Sequence, residues 1–199
     1  ILSGEVHPQS KRRSEWFERI YQLCELALTL GFLPHTNVGP LSYEEMAQLG
    51  KGNVSMVLMV EQVTPALLTT VHEHAPSKLP EVRLQQLEFA GALKIPFTTG
   101  LLLGLGETVE DWKESLRAIA QSHRRWHHIQ EVILQPHQPG KMQAEVRPAC
   151  QGDTLLQAVH IARNILPADI TIQIPPNLIR SDEALLACIA AGAHDLGGI

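Results

Sequence analysis

The chain has 199 residues, 44% of them hydrophobic and 19% charged, with a net charge of -5, enough to bury one sizeable core, so a single soluble domain over 1–199 is expected. The acidic balance argues against a nucleic-acid partner, which needs a concentrated basic patch to displace counterions, and the basic runs Lys11-Arg12-Arg13 and Arg124-Arg125 read as solvated helix ends. No apolar run reaches the roughly 18 residues of a membrane span, and three widely spaced cysteines, Cys24, Cys150 and Cys188, suggest neither disulfides nor a metal-ligand pair, which fits a reducing cytoplasm.

In chain order, Trp16, Phe17, Ile20, Leu23, Cys24, Ala27 and Leu28 recur at helical spacing and predict an amphipathic helix over 14–30, with Gly31 where a C-cap belongs. A short apolar stretch, 32–37, ends on His35, Thr36 and Asn37. Ser42 with Glu45 has the capping-box spacing and opens a short helix ending near Gly50. The run 54–60 is short and apolar enough for a buried strand. Beyond it the pattern gives a helix at 81–93, a strand at 97–103, a helix from a Thr108 cap to about residue 121, and a strand at 129–135. A helix at 154–165, a strand at 170–174, a helix at 182–191 and a short strand at 194–196 complete the alternation. The stretch 136–152 reads as an irregular insertion.

Such alternation predicts a parallel α/β sheet, either a (β/α) barrel or an open doubly wound sheet. Parity along the strands favours the barrel. Asn53, Ser55 and Glu61 share one face against Val54, Leu58 and Val60; Glu131 and Gln135 oppose Val132 and Leu134; Thr171 and Gln173 oppose Ile170, Ile172 and Ile174. A sheet covered on both faces has little use for a polar face, whereas a lumen holding a polar ligand does.

Barrel active sites lie at the C-terminal strand ends, which here carry His35, Thr36 and Asn37; Glu61 and Gln62; Gly104, Gly106 and Glu107; Gln135 and His137; Gln173 and Asn177; His194 and Asp195. The run Gly100 to Thr108 is a glycine-rich strand end entering a capped helix. Missing side chains would let a ligand approach the main chain, and free helix N–H groups would attract an anion. Val109 stands where a dinucleotide motif needs a third glycine, and no Lys-Ser/Thr follows for a phosphate loop. Glu61 has two readings, a ribose acceptor or base and a solvated strand end. His123 and His127 are four apart beside Arg124 and Arg125 at an expected fraying helix end, and no metal ligands are assigned in this chain. Met56 and Met59 read as barrel packing.

The ordered segments Ser3-Gly4-Glu5, Pro34-His35-Thr36-Asn37, Asn53-Val54-Ser55-Met56, Ile95 to Gly100 with Gly104-Leu105-Gly106-Glu107, His128 to Ile133, Pro175-Pro176-Asn177-Leu178 and His194 to Gly198 resemble the radical S-adenosylmethionine (SAM) subunit of the deazaflavin (FO) synthases over nearly the whole chain. Single motifs are shared with biotin synthase and menaquinone-pathway relatives. The resemblance implies a radical SAM lyase in coenzyme biosynthesis. A reduced [4Fe-4S] cluster there cleaves SAM to a 5′-deoxyadenosyl radical, which abstracts hydrogen from a tyrosine/5-amino-6-ribitylaminouracil adduct; ring closure with loss of ammonia gives FO. It also implies an external electron donor and a companion radical SAM subunit that makes the adduct. By matching position it implies cofactor contacts at Ser3, Gly4, Glu5, Glu61, Gly104, Gly106 and Gln135, and substrate contacts at His35, Asn37, Gln173, Asn177 and Asp195.

The chain departs from that pattern in lacking a C-x-x-x-C-x-x-C loop, which in the family lies upstream of Ser3-Gly4-Glu5. Cys24, Cys150 and Cys188 do not have the spacing to replace it. The expectation is a partial TIM-type barrel, truncated at both ends, lacking its first strand and helix and inactive alone. The segment 138–148 diverges from the family loop, leaving substrate contacts there open. A non-catalytic SAM-binding remnant is the alternative. An aldolase-like barrel would need a Schiff-base lysine at a strand end, whereas Lys94 precedes a strand and Lys51 lies in a turn.

Overall fold

The computed structural model describes residues 1–138, 152–179 and 181–197. Helix α1 (Arg13–Thr29) buries Ile20 and Cys24, one turn apart. Gly31 ends it at a φ of 83°, with the N–H groups of Gly31 and Phe32 closing on the carbonyls of Leu28 and Ala27, the paired bonds of a Schellman motif. Strand β1 (His35–Thr36) and helix α2 (Tyr43–Gly50) follow. Ser42 Oγ accepts from the Glu45 N–H at 3.1 Å and the Glu45 carboxylate accepts from the Ser42 N–H at 2.9 Å, the expected capping box.

The chain continues through β2 (Ser55–Val57), α3 (Pro80–Ala92), β3 (Phe97–Leu103), α4 (Val109–Trp126), β4 (Ile129–Pro136), α5 (Gly152–Ile165), β5 (Thr171–Ile174), α6 (Asp182–Ala190) and β6 (Asp195–Leu196). The six strands are parallel and stand in the order β1-β2-β3-β4-β5-β6. A doubly wound sheet would reverse its strand order at a switch point. Sequential order with a helix in each crossover winds one way, giving a half-barrel with its helices outside.

Side-chain parity divides the faces as expected. Leu101, Leu103, Val132, Leu134, Ile172 and Ile174 are fully buried and pack outward with Leu87, Leu116, Ile119 and Val159. Register sets Val57 opposite Thr98, Thr98 opposite Glu131, and Glu131 opposite Thr171, so a largely polar row crosses the inner face. Among the described residues no helix is long and apolar enough to cross a membrane.

Three elements differ from expectation. β2 is shorter than 54–60 because its ladder is diverted: the Val60 N–H donates to Thr99 Oγ1 at 3.1 Å, and the Met59 carbonyl accepts from Arg83 at 3.1 Å. Pairing resumes only at Glu61, which bridges Leu101. α4 extends to Trp126 rather than 121, since Trp126 lies against Gly91 of α3 and its indole N–H donates to Glu88 at 2.9 Å. His35 starts β1 rather than ending a strand, and a parallel bridge from Leu2 to Asn37 adds the chain's first residues to that edge of the sheet.

Candidate functional site

Parallel winding gathers the C-terminal strand ends on one rim. Glu61 sits there at a φ of 64° and 8% exposure, a left-handed conformation that costs a β-carbon residue of order 1–3 kcal/mol and calls for an explanation. Lys78, in the 3-10 turn Pro76–Lys78, donates to its Oε1. Its Oε2 faces His72 Nε2 at 3.5 Å, and both atoms are buried without a hydrogen-bond partner among the described residues. Burial holds the His72 imidazole below its ordinary pKa, with the Glu61 charge opposing that shift.

Arg83 brings Glu5 to the backbone just before Glu61. Its guanidinium, 2% exposed, donates to the Ser77 carbonyl at 2.6 Å, the Met59 carbonyl at 3.1 Å and Glu5 Oε1 at 3.0 Å. One cation thus ties Glu5 to the Met59 carbonyl beyond β2, two residues before Glu61. The sequence reading missed Arg83, Lys78 and His72. Arg83 carried a signal, because it shares a helical face with Leu87 and Ala90, a charge on an apolar stripe. Lys78 and His72 lie between strand and helix, where no periodicity marks them.

The glycine-rich turn adjoins this group. The Leu102 N–H donates to the Glu61 carbonyl at 3.3 Å, and Gln62, held by Ser115, donates to the Leu102 carbonyl at 3.0 Å. Gly104 and Gly106 follow, with φ of 94° and 111°. Glu61 and Gly104 therefore stand at the ends of adjacent strands, and Arg83 brings Glu5 in beside Met59. The N–H groups of the turn itself are occupied, however. Glu107 accepts from the N–H groups of Gly104 at 2.6 Å and Leu105 at 2.7 Å and is braced by the Trp112 indole at 2.8 Å, while Thr108 and Asp111 cap α4. The turn already holds its own carboxylate, so it offers a ligand close main-chain approach rather than an anion hole.

Other expected site residues spread along the inner face and rim. Gln135 and Gln173 are half-buried on the inner face, Gln173 against Gly197; Asp195 on β6 and Asn177 in the 3-10 turn Pro176–Leu178 are exposed. His35 lies at the opposite end of the barrel from the rim, its Nδ1 2.6 Å from Ser55 Oγ, with its pKa lowered chiefly by burial. Ser3 and Asn37 are joined through the backbone at 3.0 Å, and the Ser3 hydroxyl accepts from the Trp16 indole at 3.0 Å. Gly4 has open space around it. Glu131, which sequence marked only as inner-facing, lies 3.4 Å from the Thr98 hydroxyl, and burial, reinforced by Asp195, pushes its carboxyl up to about 7. Cys24 and Cys188 are free and buried on separate helices; Cys150 and most of 138–148 lie outside the described residues.

No family model matches the chain. Curated relatives do. A protein of Trichormus variabilis named 7,8-didemethyl-8-hydroxy-5-deazariboflavin synthase is 66% identical over 199 residues, covering all of this chain and 58% of its own length. Relatives of the same name from a Nostoc species and Thermosynechococcus vestitus are 64% and 63% identical, again over all of this chain, with 59% and 63% of their lengths covered. The chain thus spans about three-fifths of the length of these relatives. Among solved structures, the FeFe-hydrogenase maturase HydG from Carboxydothermus hydrogenoformans superimposes with a TM-score of 0.74 at 16% identity, over 98% of this chain and 46% of that one. Methylornithine synthase PylB gives 0.70 at 13% identity, over 98% and 56%. These likenesses are of fold, a partial β/α barrel. In sequence, the chain is homologous over its whole length to part of the 7,8-didemethyl-8-hydroxy-5-deazariboflavin synthases.

Proposed function

We propose that this barrel is the SAM-binding portion of a radical SAM enzyme that forms the deazaflavin FO from a tyrosine/5-amino-6-ribitylaminouracil adduct with loss of ammonia. The observation that carries it is Glu61 Oε2, buried on the rim near Glu5 and Gly104 and making no hydrogen bond among the described residues, with His72 Nε2 facing it at 3.5 Å. A buried acceptor without a donor calls for one, and a ribose hydroxyl supplies it.

The chain's residues fit SAM. Glu61 would accept from the ribose. Glu5, fixed through one oxygen by Arg83, has a second oxygen for the ligand's ammonium. Gly104 and Gly106 would let adenosine lie against the main chain, with Gln135 below them on the inner face. The chain does not fit the [4Fe-4S] cluster: Cys24 and Cys188 are buried on separate helices, and no C-x-x-x-C-x-x-C occurs in the sequence. Three thiolates are needed, so no step is assigned to a cluster on these residues.

Bound SAM supplies the hydrogen-abstracting chemistry. The protein's part is to position and to exclude. Arg83 anchors the Glu5 carboxylate to the backbone of Met59, two residues before Glu61, which pre-organises that end of the site. Val57, Leu102 and Ile133 line the inner face among the polar groups and keep water from reactive carbon. Gln173, Asp195, Asn177 and Asn37 would form the substrate-side set, and His35, at the end away from the rim, stands outside it. An external electron donor, a companion subunit making the adduct, and a cytoplasmic setting go with this reading.

Calorimetry with SAM tests it. A hydrogen bond to a charged acceptor is worth about 1.5–3 kcal/mol, so Glu61→Gln should weaken binding roughly ten- to a hundredfold. Unchanged affinity would remove the ribose role. The cysteine placement favours a second reading, a SAM-binding barrel without a cluster. Translation of the DNA upstream of Ile1 separates the two: a three-cysteine loop in frame supports the enzyme.

A further inference from the structure

We propose that the connection 64–79, between Glu61 and α3, is a lid standing closed over the Glu61 carboxylate, and that it must lift His72 and turn Lys78 aside before a ribose can bind. The inference rests on the ribose reading of Glu61 and adds the movement which that reading needs. Glu61 is 8% exposed, and its Oε2 is buried together with His72 Nε2. A hydroxyl arriving from solvent cannot touch an oxygen that water does not reach. What covers the carboxylate comes from this connection: Lys78 donates to Oε1, and His72 Nε2 stands 3.5 Å from Oε2. A plain buried ion pair accounts for Lys78 and Oε1. It does not account for Oε2 and the imidazole, which face each other without a hydrogen bond, each at a cost that a partner would remove.

The make-up of the connection suits movement. Connections of more than about 12 residues without α-helix or strand are uncommon and often serve as lids, and 64–79 holds only the 3-10 turns Pro65–Thr69 and Pro76–Lys78. Its backbone bonds close on itself: the Thr70 and His72 N–H groups donate to the Leu67 carbonyl, Ala75 to His72, and Lys78 to Ala75. These bonds survive when the segment moves as a body. From residue 65 to residue 80 only Leu67 is buried, so little apolar packing holds the lid down. Its ends are fixed, because the Val63 N–H donates to Ser115 Oγ at 3.1 Å and the Ser77 carbonyl accepts from Arg83 at 2.6 Å. A cleft of about 390 Å³ separates Pro76, Ser77 and Leu79 from Glu5, Val6 and Pro40, which leaves the second root unpacked on one side.

The test follows SAM binding to the chain by stopped-flow tryptophan fluorescence and by calorimetry. His72→Ala removes the imidazole over Oε2 and should speed association and tighten binding by about threefold or more, because a larger share of the chain is then open. Lys78→Met keeps the stem, frees Oε1 and should do the same. Bound SAM should also speed the modification of His72 by diethyl pyrocarbonate, read by mass spectrometry, since the imidazole and the ribose cannot share Oε2. His72→Ala and Lys78→Met binding no faster and no tighter than wild type, with Glu61→Gln still weakened, would overturn the lid alone. Glu61→Gln binding like wild type would remove the ribose contact and the lid with it. Protection of His72 by SAM would likewise overturn the lid.

Discussion

Glu131 gives the barrel a stability that should fall with rising pH. Its carboxyl is raised to about 7 from an ordinary 4.5, first by burial on the inner face and then by Asp195. The native state therefore keeps a proton that the unfolded chain gives up near pH 4.5. Native stability is fully present below that pH and is lost as pH rises through about 7. A shift of about 2.5 units corresponds to roughly 3 kcal/mol at 1.36 kcal/mol per unit. The side chain is only half-buried, so solvent screening reduces this to about 1–2 kcal/mol. Glu131→Gln keeps the shape and removes the titration. Urea unfolding at pH 5 and pH 8 should show wild type losing that amount relative to the variant, and Asp195→Asn should shrink the loss by removing the neighbouring charge. Parallel pH dependences for wild type and Glu131→Gln would refute the assignment, because burial would then not be acting on this carboxyl.

Two further outcomes are expected. A β-carbon at Gly100 would lie 2.1 Å from the Ile133 carbonyl oxygen, backbone that cannot yield, whereas Gly4 has nothing within 4 Å; Gly100→Ala should lose about 3 kcal/mol or more and Gly4→Ala less than about 0.5 kcal/mol, both measured by denaturant melts. Leu2, 78% exposed, and Leu196, 45% exposed, stand at the two edges of the sheet, so unpaired backbone there should make the chain self-associate at tens of micromolar; a monomer in light scattering at that concentration would contradict this.

The architecture was legible because it follows from local rules. The Ser42–Glu45 box, the strand at 97–103 and the alternation of Thr171 and Gln173 with buried isoleucines each follow from neighbours a few residues apart. The site was legible only in part. Position on a strand end marked Glu61 and Gly104, but what their polar atoms bond to is set by the fold. Arg83 reaches Glu5 across 78 residues, and Asp169 reaches His123 across 46. Parity gives the face on which a residue stands and is silent about its partner. The glycine-rich turn shows this: the motif signalled close approach, yet Glu107 fills the N–H groups of Gly104 and Leu105 within the turn.

The broken ladder of β2 and the rim carboxylate have one cause. Regular pairing through residue 60 would keep the chain extended and direct the Glu61 side chain along the strand alternation. Here the Thr99 hydroxyl takes the Val60 N–H and Arg83 takes the Met59 carbonyl, so both groups are satisfied without the neighbouring strand's backbone. The chain is then free to turn at Glu61 into the left-handed region and present its carboxylate to the rim. Lys78 covers one oxygen and leaves the other partnerless. Strain, a buried charge and an acceptor without a hydrogen bond at one residue all lower stability, which is why the proposed ribose contact is placed at Glu61.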